Sequence, residues 1–292
     1  MTLSGIICPL LTPFESDGRI ARDLWVAHAK SVLDQGAHYL SPFGTTGEAL
    51  SMTIAERVEA VEWLIASGIP AARLMPGTGM CALGDTTVLT AHAVQSGCAA
   101  AMVLPSFFYG ATGEAGQARY FSDLIEAVGD DRLRMILYHI PQNSGVPVPP
   151  SLVALLAGRF PETVVAYKDS AGQWDNTAAV IAAAPSVAVF PGSETFLVQG
   201  LATGAAGCIS ATVNLNAAGI RAVYDGVREG RDMTEEDAQM KRIRLAVQQA
   251  GLIGGMKALL AHRSGDKRWL NLRAPHLDAT LAQGLALEAA LA

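Results

Sequence analysis

Short apolar runs recur along the chain and alternate with longer segments whose apolar residues follow a helical period. The eight runs lie at 5–13, 37–44, 72–79, 100–107, 134–141, 164–170, 187–193 and 207–214. Short buried runs that alternate with amphipathic helices are typical of βαβ units in a parallel sheet. Eight regular repeats fit a closed barrel better than an open, doubly wound sheet. The pattern therefore predicts an α/β protein with a (β/α)8 TIM barrel over residues 1–225.

Three more helical segments follow the last run, and no Ser/Gly/Pro-rich linker separates them from it. They predict a C-terminal helical extension over residues 226–292. Within the barrel, Thr53 followed by Glu56 is a capping box that opens a helix, and Gly68 is placed to end it. Acidic residues mark three further helix starts, at Asp85, Glu114 and Asp175.

Composition narrows the class of protein. Half of the 292 residues are hydrophobic, 16% are charged, and the net charge of -6 is spread along the chain. Without a basic run we expect no nucleic-acid partner, and without an apolar run of about 20 residues we expect no membrane span. The N-terminus has no signal-peptide pattern, so we expect a cytoplasmic protein. The four cysteines are scattered without ligand spacing, so no metal site is predicted.

The stretch VVAYKDS places a lysine at the end of a buried strand. The period of two predicts that Val164, Ala166 and Lys168 share one face. In this fold the carboxyl ends of the strands carry the active site. A desolvated lysine there favours the neutral amine, a nucleophile that forms a Schiff base with a carbonyl. The alternatives are an ion pair with Asp169 and a solvated strand end.

Two other strand ends carry candidate chemistry. In GTTGE, Gly44–Glu48, the glycines permit a tight turn, and its N–H groups with the hydroxyls of Thr45 and Thr46 suit a carboxylate or phosphate. An ordinary βα turn is the alternative. In YHIPQNSG, a phenol at Tyr138 near a lysine can shuttle protons. Core packing with a wet hydroxyl is the alternative for that tyrosine.

Together, GTTGE, the YxxP motif and the lysine of the sixth predicted strand resemble the pyruvate-dependent class I aldolases and lyases, which include dihydrodipicolinate synthase and N-acetylneuraminate lyase. The resemblance covers essentially the whole chain. It implies that Lys168 forms the Schiff base with pyruvate or another 2-oxo acid, that Tyr138 relays protons, and that Thr46 assists. It also implies a homotetramer that needs no metal or organic cofactor. The residues we predict to bind substrate are Thr45, Thr46, Gly47, Asn143, Gly192, Glu194 and Ile209.

The chain departs from the synthase pattern at two places. Phe107 aligns with the tyrosine that the synthase donates across a subunit interface, and Tyr109 is the alternative inter-subunit candidate. After YxxP, the synthase's arginine is replaced by the uncharged QNS. A second carboxylate would lack a cation there, whereas amides and hydroxyls suit a hydroxylated tail. Dihydrodipicolinate synthase activity is therefore disfavoured.

We predict a class I aldolase that cleaves or forms a 2-oxo acid from pyruvate and an aldehyde, with a hydroxylated sugar-acid type of substrate. Alternatives are a 2-oxo-3-deoxy sugar-acid dehydratase, the synthase itself, and a barrel that binds a ligand without catalysis. Outside this set, His139 is expected to face the helices because it follows Tyr138. Lys257, in a predicted helix of the extension, is expected to be a solvated or partly buried structural lysine.

Overall fold

The computed structural model describes residues 3–291, and the described chain alternates short strands with helices. The strands are β1 (Gly5–Cys8), β2 (Tyr39–Leu40), β3 (Ala101–Val103), β4 (Met135–His139), β5 (Val164–Asp169), β6 (Ala188–Pro191) and β7 (Gly207–Ile209). The α-helices are α1 (Arg22–Asp34), α2 (Ile54–Ala66), α3 (Leu83–Gln95), α4 (Gly113–Val128), α5 (Pro141–Ser144), α6 (Pro150–Arg159), α7 (Trp174–Ala183), α8 (Leu197–Thr203), α9 (Val213–Arg228), α10 (Thr234–Gln249), α11 (Leu252–Ser264) and α12 (Leu281–Leu291). None of the helices within these residues is long and apolar enough to cross a membrane.

The chain forms two compact units. The first comprises the residues up to Gly5 together with Pro70–Ile209, and the second comprises Ile6–Ile69 and the chain from Ser210 onward. In the first unit, the parallel strands stand in the order β3-β4-β5-β6. The hydrogen bonding extends beyond β6, because the N–H of Ala206, the residue before β7, donates to Val189 O of β6 at 2.9 Å. Strand order thus follows chain order, as successive βα repeats require.

The helices of the first unit pack against one face of this sheet. Met135, Leu137, Tyr167 and Val189 project from the strands into a core that also contains residues of α4 and α6, and all four are 0–1% exposed. Alternate residues of the same strands, Ile136 and Ala166 among them, lie outside that core. The strands are therefore buried on both faces, as expected for a parallel sheet.

The prediction of a regular strand at 72–79 is wrong. Its first residues belong to the 3-10 turn Ala71–Arg73. Pro76, which has no N–H to donate, accepts a hydrogen bond from Met102 N, and Gly77 forms an isolated parallel bridge with Met102. The segment lies beside β3 without full pairing, and the predicted sixth strand is therefore β5.

One face assignment within β5 is also wrong. The pairing with β4 shifts between Met135 and Ile136, so that Val164 pairs with Met135 and Ala166 with Ile136. Val165 is the extra residue of this bulge, which turns Val164 to the face of Tyr167 and into the helix-side core. Ala166 and Lys168 keep the common face that the period of two predicted.

In the second unit, β1 pairs in parallel with β2, with Ile7 opposite Tyr39, and Ser210 N donates to Ile7 O at 3.3 Å. The predicted eighth strand is shorter than expected: it ends at Ile209, because Val213 N donates to Ser210 O in the turn that opens α9. A second core joins the barrel-side residues Leu11 and Ala211 to apolar residues of α10, α11 and α12.

The predicted helix starts are confirmed. Thr53 Oγ1 accepts from Glu56 N, the Glu56 carboxylate accepts from Thr53 N, and this box opens α2. Gly68, with φ of 93°, follows the end of α2. The three other acids lie in the first turns of α3, α4 and α7.

We expect Glu56→Gln to lower the free energy of unfolding by about 1–3 kcal/mol at pH 7. The Arg273 guanidinium, followed by the Thr53 N–H, holds the pKa of Glu56 at about 2, below its ordinary 4.5, against the opposing effect of burial. Because the folded-state pKa is depressed, this stability is present above pH 4.5 and is lost as the pH falls toward 2. Urea unfolding across this window measures it.

Glu59→Gln is the matched control, since Glu59 is an exposed carboxylate on the same helix. The difference between Glu56→Gln and wild type should shrink below pH 4.5. If Glu56→Gln lowers the free energy of unfolding by the same amount at pH 7 and at pH 3, the ion-pair explanation is contradicted.

Candidate active site

Lys168 lies one residue from the carboxyl end of β5, directly opposite Tyr138 of β4 in the parallel register. Its side chain is 4% exposed, and Nζ lies 4.1 Å from the centroid of the Tyr138 ring. Tyr138 itself is 3% exposed. Within residues 3–291, Lys168 has no hydrogen bond or ion pair to its ammonium group. The amine is therefore placed by packing against an aromatic face and not by a counter-ion.

The two alternatives for Lys168 fail on geometry. It is buried, so it is not a solvated strand end. The carboxylate of Asp169, the proposed ion-pair partner, accepts hydrogen bonds from Thr177 Oγ1 at 2.7 Å, Asn176 Nδ2 at 2.8 Å and Ala171 N at 3.0 Å. These three donors, on and before α7, satisfy Asp169 on the face opposite to Lys168.

The helix side of the same strand ends forms a hydrogen-bonded layer. The Tyr167 hydroxyl donates a hydrogen bond to Val148 O at 3.0 Å, and His139 Nδ1 accepts one from Val148 N at 2.9 Å. Burial lowers the pKa of His139 and, together with nearby Asp169, raises that of Tyr167. His139 therefore faces the helices, as predicted, and neither group is placed beside the Lys168 amine.

The strand ends beyond β5 place three more of the predicted residues in the first unit. Gly192 N donates to Asp169 O at 2.6 Å, and a Cβ at this position would lie 2.9 Å from both the main-chain Asp169 O and the Ser170 Cα. Only glycine allows so close an approach. Glu194 is fully buried, and Ile209 is 1% exposed at the last position of β7.

The segment after β4 carries amides in place of a cation. Pro141–Ser144 forms the short helix α5, in which Gln142 and Asn143 are exposed. Gln142 Nε2 donates to Ser170 O at 2.7 Å, so α5 is joined to the turn that follows Lys168. Asn143 is thus held near the carboxyl end of β5, on a helix without charged residues.

The loop after β3 exposes two aromatic rings. Phe107 is half-buried, and its carbonyl accepts a hydrogen bond from Cys81 Sγ. Phe108 and Tyr109 are 84% and 60% exposed, and their rings make an edge contact with centroids 5.3 Å apart. Tyr109 therefore projects from the first unit, whereas Phe107 does not.

GTTGE lies in the second unit, where Thr45–Gly47 is a 3-10 turn. Thr45 is exposed at the tip, and Thr46 is 7% exposed. Gly47 N donates to Gly44 O at 3.1 Å, and Gly47 O accepts from Thr12 Oγ1 at 2.9 Å. A Cβ on Gly47 would lie 2.7 Å from Leu10 O, so this position requires glycine.

The last residue of GTTGE is a buried anion. Glu48 Oε1 accepts from Lys257 Nζ at 2.7 Å, with both side chains fully buried, and Oε2 accepts from Arg273 N at 2.9 Å. The expectation that Lys257 is solvated or partly buried is wrong. Burial lowers the pKa of Lys257, and Glu48 opposes that shift. No group of three or more metal-binding side chains occurs within residues 3–291.

Comparison with known proteins places this geometry in a family. The family model described as the dihydrodipicolinate synthetase family matches residues 2–292. The chain belongs to this family. A DapA-like lyase of Chloroflexus aurantiacus is 34% identical over 287 residues, 98% of this chain and 95% of the relative. The 4-hydroxy-tetrahydrodipicolinate synthase of Thermus thermophilus is 33% identical over 211 residues, 72% of this chain and 69% of the relative.

Among solved structures, dihydrodipicolinate synthase from Agrobacterium tumefaciens has a TM-score of 0.90 and 27% identity, over 99% of this chain and 98% of that chain. The predicted fold class is confirmed: the chain is a (β/α)8 TIM barrel with C-terminal helices. Members of the dihydrodipicolinate synthetase family are pyruvate-dependent class I lyases and are typically oligomeric. The enzyme is accordingly a lyase of this class.

Sequence reasoning missed Lys257 and Arg273 as contacts of the family's GTTGE loop. Residues 48 and 257 are 209 positions apart, and no local pattern links them. One signal was present: Lys257 is among only five lysines in the chain and is flanked by apolar residues in GGMKALL. An isolated cation in an apolar helix indicates a buried partner of opposite charge.

Proposed function

We propose that this lyase is a class I aldolase that cleaves or forms a 2-oxo acid from pyruvate and an aldehyde through an imine on Lys168. The observation that carries the proposal is the buried Lys168 amine over the Tyr138 ring, with Nζ 4.1 Å from the centroid. A lysine amine that no counter-ion holds, beside a phenol, combines a nucleophile with a group that transfers protons.

In the cleavage direction, the neutral amine of Lys168 attacks C2 of the 2-oxo acid, and loss of water leaves a protonated imine. The C3–C4 bond then breaks, and its electron pair moves into the imine to form an enamine. Tyr138, which has given its proton to the hydroxyl that left as water, takes the proton from the C4 hydroxyl as that oxygen becomes the aldehyde carbonyl, with Thr46 assisting. Protonation of C3 and addition of water release pyruvate and regenerate the amine.

The substrate carboxylate is assigned to GTTGE. We propose that the hydroxyls of Thr45 and Thr46, together with the main chain near Gly47, bind it. Gly192 and the main chain at Ile209 are also proposed to contact substrate. Support comes from the turn itself, in which Gly47 is hydrogen-bonded to Thr12 and to Gly44 and packs too closely on Leu10 O to carry a side chain. The threonines therefore stand on a fixed backbone.

We propose a hydroxylated sugar-acid type of substrate. The supporting observation is α5, whose exposed Gln142 and Asn143 take the place of a cation near the end of β5. Amides donate and accept hydrogen bonds from hydroxyl groups, whereas a second carboxylate needs a positive partner in a water-poor site.

This substrate proposal predicts that 2-oxo-3-deoxy sugar acids are turned over faster than the synthase reaction of pyruvate with aspartate semialdehyde. Products are identified by mass spectrometry, and free pyruvate appears only on retro-aldol cleavage. If the product is a dehydrated 2-oxo acid and no pyruvate is formed, the enzyme is the sugar-acid dehydratase and not the aldolase. Faster turnover of aspartate semialdehyde would contradict the sugar-acid assignment.

A control separates the substrate from the chemistry. Borohydride trapping of pyruvate on Lys168 reports the imine whatever aldehyde is used. Trapping without turnover of any acid would favour a barrel that binds a ligand without catalysis. The homotetramer, with Tyr109 reaching a neighbouring subunit, the cytoplasmic location and the division at residue 225 also stay predictions. Light scattering of the purified chain measures its mass in solution.

A further inference from the structure

The Glu48 backbone adopts a conformation that its residue type disfavours. Its φ and ψ are 58° and 34°, in the left-handed region, where a residue with a Cβ is strained. Such a conformation persists only where the surrounding contacts enforce it. Because Glu48 directly follows Thr45–Gly47, its conformation determines the direction in which the chain leaves this turn toward α2.

Contacts from distant parts of the second unit hold this carboxylate. Lys257 on α11 donates to Oε1, and the main-chain N–H of Arg273 donates to Oε2. The Lys257 ammonium also lies 4.7 Å from the centroid of the Phe14 ring, and the Arg273 guanidinium lies 4.8 Å from it. Both carboxylate oxygens are therefore bound to groups fixed in a packed interior.

Arg273 is itself fixed by the segments on either side of GTTGE. Its guanidinium donates to Gly18 O, to Ser51 O at 2.9 Å and to the carboxylate of Glu56. Ser51 lies shortly after the loop and Glu56 lies in the first turn of α2, so the chain is held both at Glu48 and beyond it. A loop that only connected β2 to α2 would not require a buried ion pair to the C-terminal helices.

We propose that Glu48 and Lys257 are positioning residues that hold Thr45 and Thr46 in place for the substrate carboxylate. This inference rests on the proposed function, since it takes the two threonines as the carboxylate site. It gives α11 a part in binding substrate without contact to it. Removing Lys257 leaves a buried unpaired carboxylate, and the turn is expected to rearrange to hydrate it.

The test uses the full-length protein and pyruvate as the probe. Borohydride trapping on Lys168 is measured against pyruvate concentration for wild type, Lys257→Met and Lys257→Met/Glu48→Gln. We expect Lys257→Met to raise the pyruvate concentration for half-maximal trapping by roughly tenfold and to lower the melting temperature. The double variant removes the unpaired charge, so its melting temperature should recover while half-saturation stays raised.

Lys241→Met is the matched control, because Lys241 is a half-exposed lysine of α10 in an i,i+4 ion pair with Asp237. It should leave half-saturation unchanged. If half-saturation returns to the wild-type value in the double variant together with the melting temperature, the positioning role is overturned. The same holds if Lys257→Met does not change half-saturation at all. Neither result would affect the proposed function. If wild type itself forms no adduct on Lys168, the proposed function fails, and this inference fails with it.

Discussion

Lys168→Met is expected to lower turnover by about 10⁴-fold or more, because it removes the only nucleophile of the proposed imine pathway. Methionine is apolar and similar in length, so it suits a side chain that is 4% exposed and packed on the Tyr138 ring. We therefore expect the variant to remain folded. Steady-state turnover measures the effect, with circular dichroism to check the fold.

Chemical trapping gives the sharper measurement. Borohydride with pyruvate should modify wild type at Lys168 alone among the five lysines, as located by peptide mapping. The variant should carry no adduct. Lys30→Met is the matched control, since Lys30 is an exposed lysine of α1, and it should retain both trapping and turnover. An adduct on another lysine, or full activity of Lys168→Met, would refute the assigned nucleophile.

Tyr138→Phe is expected to lower turnover by about 10²–10⁴-fold, the usual contribution of a positioned general acid-base. The substitution keeps the ring on which the Lys168 amine lies and removes only the hydroxyl. Pyruvate should therefore still be trapped on Lys168, more slowly, while cleavage of the C3–C4 bond nearly stops. Rapid-quench trapping and steady-state turnover separate the two steps.

Tyr39→Phe is the control, because Tyr39 lies in β2 and outside the candidate site. It should change neither step. If Tyr138→Phe reduces imine formation and cleavage to the same small extent, its hydroxyl has no role in proton transfer. Tyr109→Phe then tests the proposed inter-subunit phenol, which is 60% exposed.

Local pattern was sufficient for the elements that local forces form. The capping box at Thr53 and Glu56 was predicted because its hydrogen bonds join residues three positions apart. Ala166 and Lys168 were predicted to share a face because strand alternation is a property of each strand. The register with β4 then placed Lys168 directly opposite Tyr138. Motif and strand order together were enough to predict the family.

Other features depended on pairing between distant segments. The bulge at Val165 arises from the pairing of β5 with β4, and it moved Val164 to the helix-side core. The segment at 72–79 has the composition of a strand, but Pro76 cannot donate and the 3-10 turn before it shortens the pairing. The strand propensity of a segment does not by itself determine whether the segment can pair fully with its neighbour.

The sequence by itself determined the alternation of strands and helices, the helix caps and the position of Lys168 at a strand end, because these depend on neighbours along the chain. Only the tertiary structure decided how GTTGE is held. Lys257 and Glu48 are 209 positions apart, and their charges become informative only when folding buries them 2.7 Å from each other. A buried charge must find a partner, and the fold determines which residue that partner is.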